Sequence, residues 1–214
     1  FKYYFKPQEI KSKIFLREKN IYEINVINGT CDNYEDDNIE IRNVINEDFE
    51  KNQESNFNIL NDIVVDFNTI FFNSGIFIKV KSESKIKINL VHKVNKNYTI
   101  FQNNFFQFKK NCQVIIEEDF NLTENSLCNA KYNIKLENKS NIKHNIFQNF
   151  SMSNKLFLTS NTICEEKSTY IQNSFNFADG FVRNFHNAKL NGEFSKAILK
   201  GCFFIKNNNS CSNK

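Results

Sequence analysis

The chain has 214 residues, 40% of them hydrophobic, with a formal net charge of +4. That length and apolar content suffice for one domain with a buried core and exclude a wholly disordered chain. The lysines are spread along the chain and not clustered, which argues against a nucleic-acid binder, and no apolar run is long enough for a membrane-spanning helix.

Phe occurs 24 times and Trp not at all, with only 5 Gly and 1 Pro. Asn, Lys, Ile and Phe dominate, and all four have A/T-rich codons. Composition therefore reports codon bias, and pattern has to carry the inference. No signal peptide is visible at Phe1.

In chain order, residues 1 to 20 fit either a short amphipathic helix or a strand. Tyr22 to Asn28 alternates as a strand and ends in the turn pair Asn28-Gly29. An acidic stretch follows, in which Asp32, Glu35, Asp36, Asp37, Glu40, Glu47, Asp48, Glu50 and Glu54 meet only Arg42 and Lys51. It reads as a solvated connector. Residues 1–56 are thus expected to form an N-terminal strand and acidic connector, 57–206 the main domain and 207–214 a polar tail.

The main domain repeats. Five segments begin with a small polar residue and continue in period-2 alternation, at Ser84, Asn111, Ser140, Ser168 and Ser195. Their spacings are 27, 29, 28 and 27 residues. Within the first, Ile86, Ile88 and Leu90 point one way and Lys85, Lys87 and Asn89 the other. Further strand-like runs lie between the anchors, at Tyr98 to Phe108, Tyr132 to Leu136, Lys155 to Leu158 and Phe203 to Lys206, and no long helical period appears after residue 56. One such unit cannot bury its apolar face alone, so stacking is required. The pattern predicts an all-β fold, a right-handed parallel β-helix (β-solenoid) of two or three short strands per rung, with a short N-terminal strand and loop region. A sandwich would want more hairpin signals, and Asn-Gly occurs only at Asn28-Gly29 and Asn191-Gly192.

Chemistry-bearing residues are few. The cysteines at 31, 112, 128, 164, 202 and 211 contain no C-x-x-C pair and read as free thiols, mostly small buried apolar groups, in a reducing compartment. Cys112, Cys202 and Cys211 stand as candidates for a transient ligand role. His92, His144 and His186 lie 8, 4 and 18 residues after their anchors and are expected not to align. Glu117-Glu118-Asp119 reads as a solvated turn at a strand end. Isolated glycines offer no phosphate loop. These readings predict no catalytic, cofactor-binding or metal residues and a protein that is not an enzyme.

The ordered features resemble the SufB/SufD family of iron–sulfur cluster assembly scaffolds. They are Ile24-Asn-Val-Ile-Asn-Gly29, an apolar segment around Asn68 leading to Gly75 and the strand to Val80, Ile88-Asn-Leu-Val-His92, Val114-Ile-Ile-Glu117, Ile142 to Gln148, Gly180-Phe-Val-Arg183-Asn184, and the closes Leu190-Asn-Gly192 and Leu199-Lys-Gly201. The similarity covers roughly residues 22 to 206. SufB-like members carry a Cys two residues after the Glu matching Glu117; here Asp119 stands there, and with the Asn28-Gly29 strand this favours the SufD branch. The usual N-terminal helical region and the C-terminal part of the family have no counterpart here, so no partner-surface residues carry over. The resemblance implies a non-catalytic scaffold that pairs with a SufB-like subunit and a SufC-like ABC ATPase, touches an iron–sulfur cluster only transiently in the assembled complex, binds neither nucleic acid nor membrane, and works in bacterial cytoplasm or plastid stroma. The alternative is a carbohydrate-active or adhesin-type β-helix. Carboxylates that do not repeat at matching rung positions argue against it.

Overall fold

Two long sheets face each other, and the chain passes back and forth between them. The computed structural model describes residues 15–18, 20–45, 48, 62–151, 153–204 and 210–213. Strands β5 (Ile76–Val80), β6 (Lys85–Val94), β7 (Thr99–Phe108), β8 (Gln113–Leu122), β9 (Leu127–Leu136), β10 (Asn141–Gln148), β11 (Lys155–Cys164), β12 (Thr169–Asn176), β13 (Phe181–Leu190) and β14 (Lys196–Phe203) alternate between the sheets. Even-numbered strands stack in parallel as one sheet and odd-numbered strands as the other. Each rung therefore holds two strands, not three, and about five rungs make a β-solenoid.

The register fixes the repeat. Lys85 pairs with Gln113, Gln113 with Asn141 and Asn141 with Thr169, so the rung is 28 residues, shortening by one residue at Lys196. The repeat anchor is consequently Cys112 and not Asn111. Asn111 holds the left-handed corner position, as do Glu83, Lys139, Lys167 and Phe194 in the equivalent turns. Asn97 and Asn125 do the same before β7 and β9; Asn accepts positive φ more readily than other residues with a side chain, whereas the Glu, Lys and Phe corners take it against their preference. The next residue turns inward and is small: Ser84, Cys112, Ser140 and Ser168 are all buried. Ser140 and Ser168 each donate a 2.6 Å hydrogen bond to the carbonyl three residues back, at Glu137 and Glu165, adding to the backbone N–H bond that the same carbonyl accepts and tightening the corner.

The N-terminal strands are continuous with this stack. β1 (Phe15–Glu18) pairs antiparallel with β2 (Ile21–Ile27), and β2 lies parallel on β6. In the other sheet β3 (Tyr34–Glu35) and β4 (Ile39–Asn43) add antiparallel strands to β5. Part of the acidic stretch is thus folded sheet. Asp36 accepts hydrogen bonds from Tyr22 at 2.7 Å and Tyr34 at 3.1 Å, and Arg42 grips Asp48 with two 2.7 Å bonds. Glu47, Glu50, Lys51 and Glu54, with residues 1–14, 207–209 and 214, lie outside the described residues. Residues 211–213 form β15 (Cys211–Asn213), which pairs with β13. Gly29 has φ +86° in the Asn28-Gly29 turn, and a Cβ there would fall 2.0 Å from Ser74 Oγ. Neither the conformation nor the space admits another residue.

One element departs from the sequence reading. Residues Ile63–Phe71 form a helix, α1, on the outer face of the odd-numbered sheet over β7 and β9. Its β-branched start masks it in a propensity reading. Three features hold it. The Asp62 side chain caps it by accepting from Val64 N–H at 3.0 Å, and both Asp62 carboxylate oxygens take hydrogen bonds from Arg183 of β13. Buried Asn68 donates to the carbonyls of Gln102 and Asn129 at 2.9 and 2.8 Å.

Candidate functional site

The inward positions of the even-numbered sheet carry an ionisable diagonal. A rung is 28 residues, so a step of 26 moves one rung along and two residues back, to the next inward position. His92, Glu118, His144 and Tyr170 are spaced by 26 and stand on β6, β8, β10 and β12. Their contacts follow that line. His92 Nε2 donates to Glu118 Oε1 at 2.7 Å, His144 Nε2 donates to Glu118 Oε2 at 2.8 Å, and His144 Nδ1 lies 3.0 Å from Tyr170 Oη. From the opposite sheet, Tyr132 of β9 donates to Glu118 Oε1 at 2.5 Å.

None of these groups meets solvent. Glu118 and His92 are 0% exposed, and His144, Tyr132 and Tyr170 are at most 1% exposed. Burial alone would raise the Glu118 pKa. The hydrogen bonds from His144 and His92, with the positive charge they can carry, outweigh it and hold the group far below the ordinary carboxylate range. The same environment pushes the Tyr132 and Tyr170 hydroxyls well above their usual range, by burial first and by the nearby Glu118 charge second. The His92 ring also stacks flat on Phe120, its register partner, at 4.6 Å between centroids.

The network continues beyond Tyr170, which donates to Gln172 Oε1 at 3.1 Å. Gln172 Nε2 lies 3.0 Å from the ring nitrogens of His186 on β13, and Ser160 Oγ lies 2.8 Å from His186 Nδ1. Burial, and the His144 charge behind it, lower the His186 pKa to about 4. An amide does not relay protons as imidazole does, so Gln172 joins two hydrogen-bonded groups of this network without passing protons between them. The first group is a closed clamp across four consecutive strands of one sheet. Chemically it can hold a buried negative charge and fix the register of its rungs.

Two expectations are corrected here. Glu118 does not sit in a solvated turn: β8 runs unbroken from Gln113 to Leu122, so alternation sends Glu118 inward while Glu117 and Asp119 face out. Glu117 there pairs with Lys87 at 2.7 Å. The three histidines do not share a column, as their offsets say, yet all belong to one network, because long side chains reach diagonal neighbours. The signal was present as the 26-residue spacing of His92, Glu118 and His144. Among the described residues no group of three or more His, Cys, Asp or Glu is arranged to hold a metal ion. The clamp places its carboxylate between the imidazoles, leaving no common centre. Of the candidate cysteine ligands, Cys112 is buried, with its thiol pushed up to about 12 by that burial, Cys211 is partly buried beside Asn176, and Cys202 is exposed.

Comparison with known families decides the kinship. The profile of the SufBD core domain of SUF-system FeS cluster assembly matches residues 90–214, more than half the chain. The chain belongs to the SufBD family. No curated protein matches the sequence. Within the SufBD core, the matched span starts at β6 and takes in His92, Glu118, His144 and His186, so the clamp lies inside the family domain and not in an addition to it. Membership supports a role in iron–sulfur cluster assembly as a scaffold.

Proposed function

We propose that this chain is the SufD-like, non-catalytic subunit of a SufBCD-type complex, pairing with a SufB-like scaffold and a SufC-like ABC ATPase in bacterial cytoplasm or plastid stroma. The observation that carries the reading is the use made of the ionisable groups. Glu118, His92 and His144 are consumed in mutual hydrogen bonds inside a sealed core, so they stiffen a frame and do not face a substrate. Asp119, at the position where SufB-like members carry a cysteine, faces outward and is exposed on β8. That supports the SufD branch. No helix among the described residues is long and apolar enough to cross a membrane.

Two measurements test it. Tagged chain co-expressed with SufB-like and SufC-like proteins is expected to retain both through affinity purification and gel filtration, and recovery of the chain alone would overturn the proposal. Anaerobic incubation with iron and sulfide is expected to give no charge-transfer absorbance with the chain by itself and to give it once the SufB-like partner is added. Bands from the isolated chain would return Cys202 and Cys211 to the ligand set.

A further inference from the structure

The outward face of the even-numbered sheet carries a second pattern, unrelated to the clamp. One register column reads Ile21, Lys87, Ile115, Lys143, Ile171, Ile198 from β2 to β14. Apolar and cationic side chains thus alternate along the solenoid axis over its first five positions. They form a groove of about 570 Å³ that also includes Asn20, Lys85, Gln113 and Asn141. Three of its lining residues are Lys and none is acidic, and Ile115 at its centre is 44% exposed. Lys87 is partly neutralised by Glu117. Lys85 and Lys143 are exposed, with no carboxylate recorded within ion-pair distance among the described residues.

We propose that this groove docks an acidic amphipathic helix of a partner protein. The sign follows from the lining, where three lysines rim an exposed isoleucine and the flanking carboxylate, Glu117, offsets only Lys87. The helical form follows from spacing. Adjacent strands lie about 4.8 Å apart, so each step of the column is about 4.8 Å. Same-face residues of an extended peptide are about 6.6 Å apart and fall out of phase within two steps. Helix residues three or four apart are separated by about 4.5–6 Å along the axis and stay in phase. The fitting ligand presents Leu or Ile at i, with Glu or Asp at i+3 or i+4, repeated over about three turns. This docking role goes beyond the scaffold reading and does not depend on it.

The test uses the full chain and a fluorescein-labelled 21-residue helical peptide of Glu, Leu and Ala, with Leu along one face and Glu beside it. A control carries Lys in place of each Glu. Fluorescence anisotropy is expected to show saturable binding of the acidic peptide, weakened roughly tenfold by Lys85→Glu with Lys143→Glu and roughly fivefold by Ile115→Asn. Raised salt should weaken it further. All three positions face solvent, so the variants should keep the wild-type melting curve, and any that does not is replaced by Lys143→Gln, expected to bind about threefold more weakly. Equal binding of the two peptides, no binding of the acidic one, or indifference to the substitutions would overturn the proposal. A failed SufB-like pull-down would leave it standing.

Discussion

The first rungs and the later rungs of the solenoid fill the same cylinder in different ways. Across β5 to β7 the inward side chains are mainly apolar, with Ile76, Ile78, Val80, Ile86, Ile88, Leu90, Ile100, Phe106 and Phe108 all buried and His92, Gln102 and Asn104 among them. Across β10 to β13 the polar share is larger: His144, Gln148, Ser160, Thr162, Gln172, Ser174, Asn176 and Asn184, nearly as buried, stand among Ile142, Ile146, Leu156, Leu158 and Val182. Gln148 and Asn184 exchange reciprocal amide hydrogen bonds at 2.8 and 3.2 Å. Backbone stacking is the same in both regions, so the fold does not require either filling. The apolar rungs are held by volume and dispersion, which degrade gradually when a methyl group is lost. The polar rungs are held by paired donors and acceptors, where removing one partner strands the other. Glu118 stands at the junction, on an apolar strand, with a polar partner on either side.

The sharpest way to break that contrast is Glu118→Ala. It strands His92 Nε2, His144 Nε2 and the Tyr132 hydroxyl together, and is expected to cost about 3–5 kcal/mol in urea unfolding. A loss under about 1 kcal/mol would mean that the clamp is ornamental. The triple change His92→Leu, Glu118→Leu, His144→Leu should recover most of the loss, since an apolar filling of similar volume avoids the desolvation of the charge. Next in size is Phe106→Ala in the apolar region. Phe106 packs edge-on against Tyr132 at 5.4 Å and against Phe108 at 6.5 Å. Its truncation should cost about 3–4 kcal/mol as a cavity. Phe106→Leu should recover most of that, whereas the conservative Glu118→Gln should recover only part, because the amide has one acceptor oxygen for the three donors that Glu118 serves and one imidazole must change tautomer to accept its N–H.

What was legible in the sequence divides along a related line. The solenoid could be read because rung geometry imposes a period on every strand: Ile86, Ile88 and Leu90 recur as Val114, Ile116 and then as the β10 positions. The anchor lies one residue past Asn111, at Cys112, because the inward corner position takes a small side chain that need not be a polar one. The clamp could not be read by comparing offsets from anchors, since that test finds only columns, and His92, Glu118 and His144 meet on a diagonal. Helix α1 was hidden because its stability comes from tertiary partners. Arg183 lies 121 residues from Asp62, and the Asn129 carbonyl that receives the Asn68 amide is 61 residues away. No local window contains such pairs.

Helix α1 gives the third and smaller effect. Asp62→Ala removes both the N-cap and the Arg183 grip and is expected to cost about 1–2 kcal/mol. Because α1 lies outside the cylinder, the loss should show as faster amide exchange in Ile63–Phe71 while the strands keep their protection. Exchange that quickened equally throughout would make the helix part of the core and not an addition to it.

The smallest effect separates the two halves of the polar network by pH. His186 is half-buried and neutral, with a pKa of about 4 in the folded chain, against about 6.5 for an unperturbed histidine. Between those values the unfolded chain binds a proton that the folded chain refuses, so stability rises with pH through this window. It is fully present above about pH 6.5 and is lost as the pH falls toward 4, by about 1 kcal/mol once solvent screening of the partly exposed ring is allowed for. Glu118 works in the same direction but lower: its folded-state pKa is depressed, so its contribution is full above the ordinary carboxylate range, begins to fall at the bottom of this window and is lost mainly below it. His186→Gln should therefore flatten the urea midpoint between pH 6.5 and 4.5 and leave the acid limb below pH 4 in place. If that variant keeps the full slope, the titrating group lies in the clamp, and Gln172 does not insulate one group from the other.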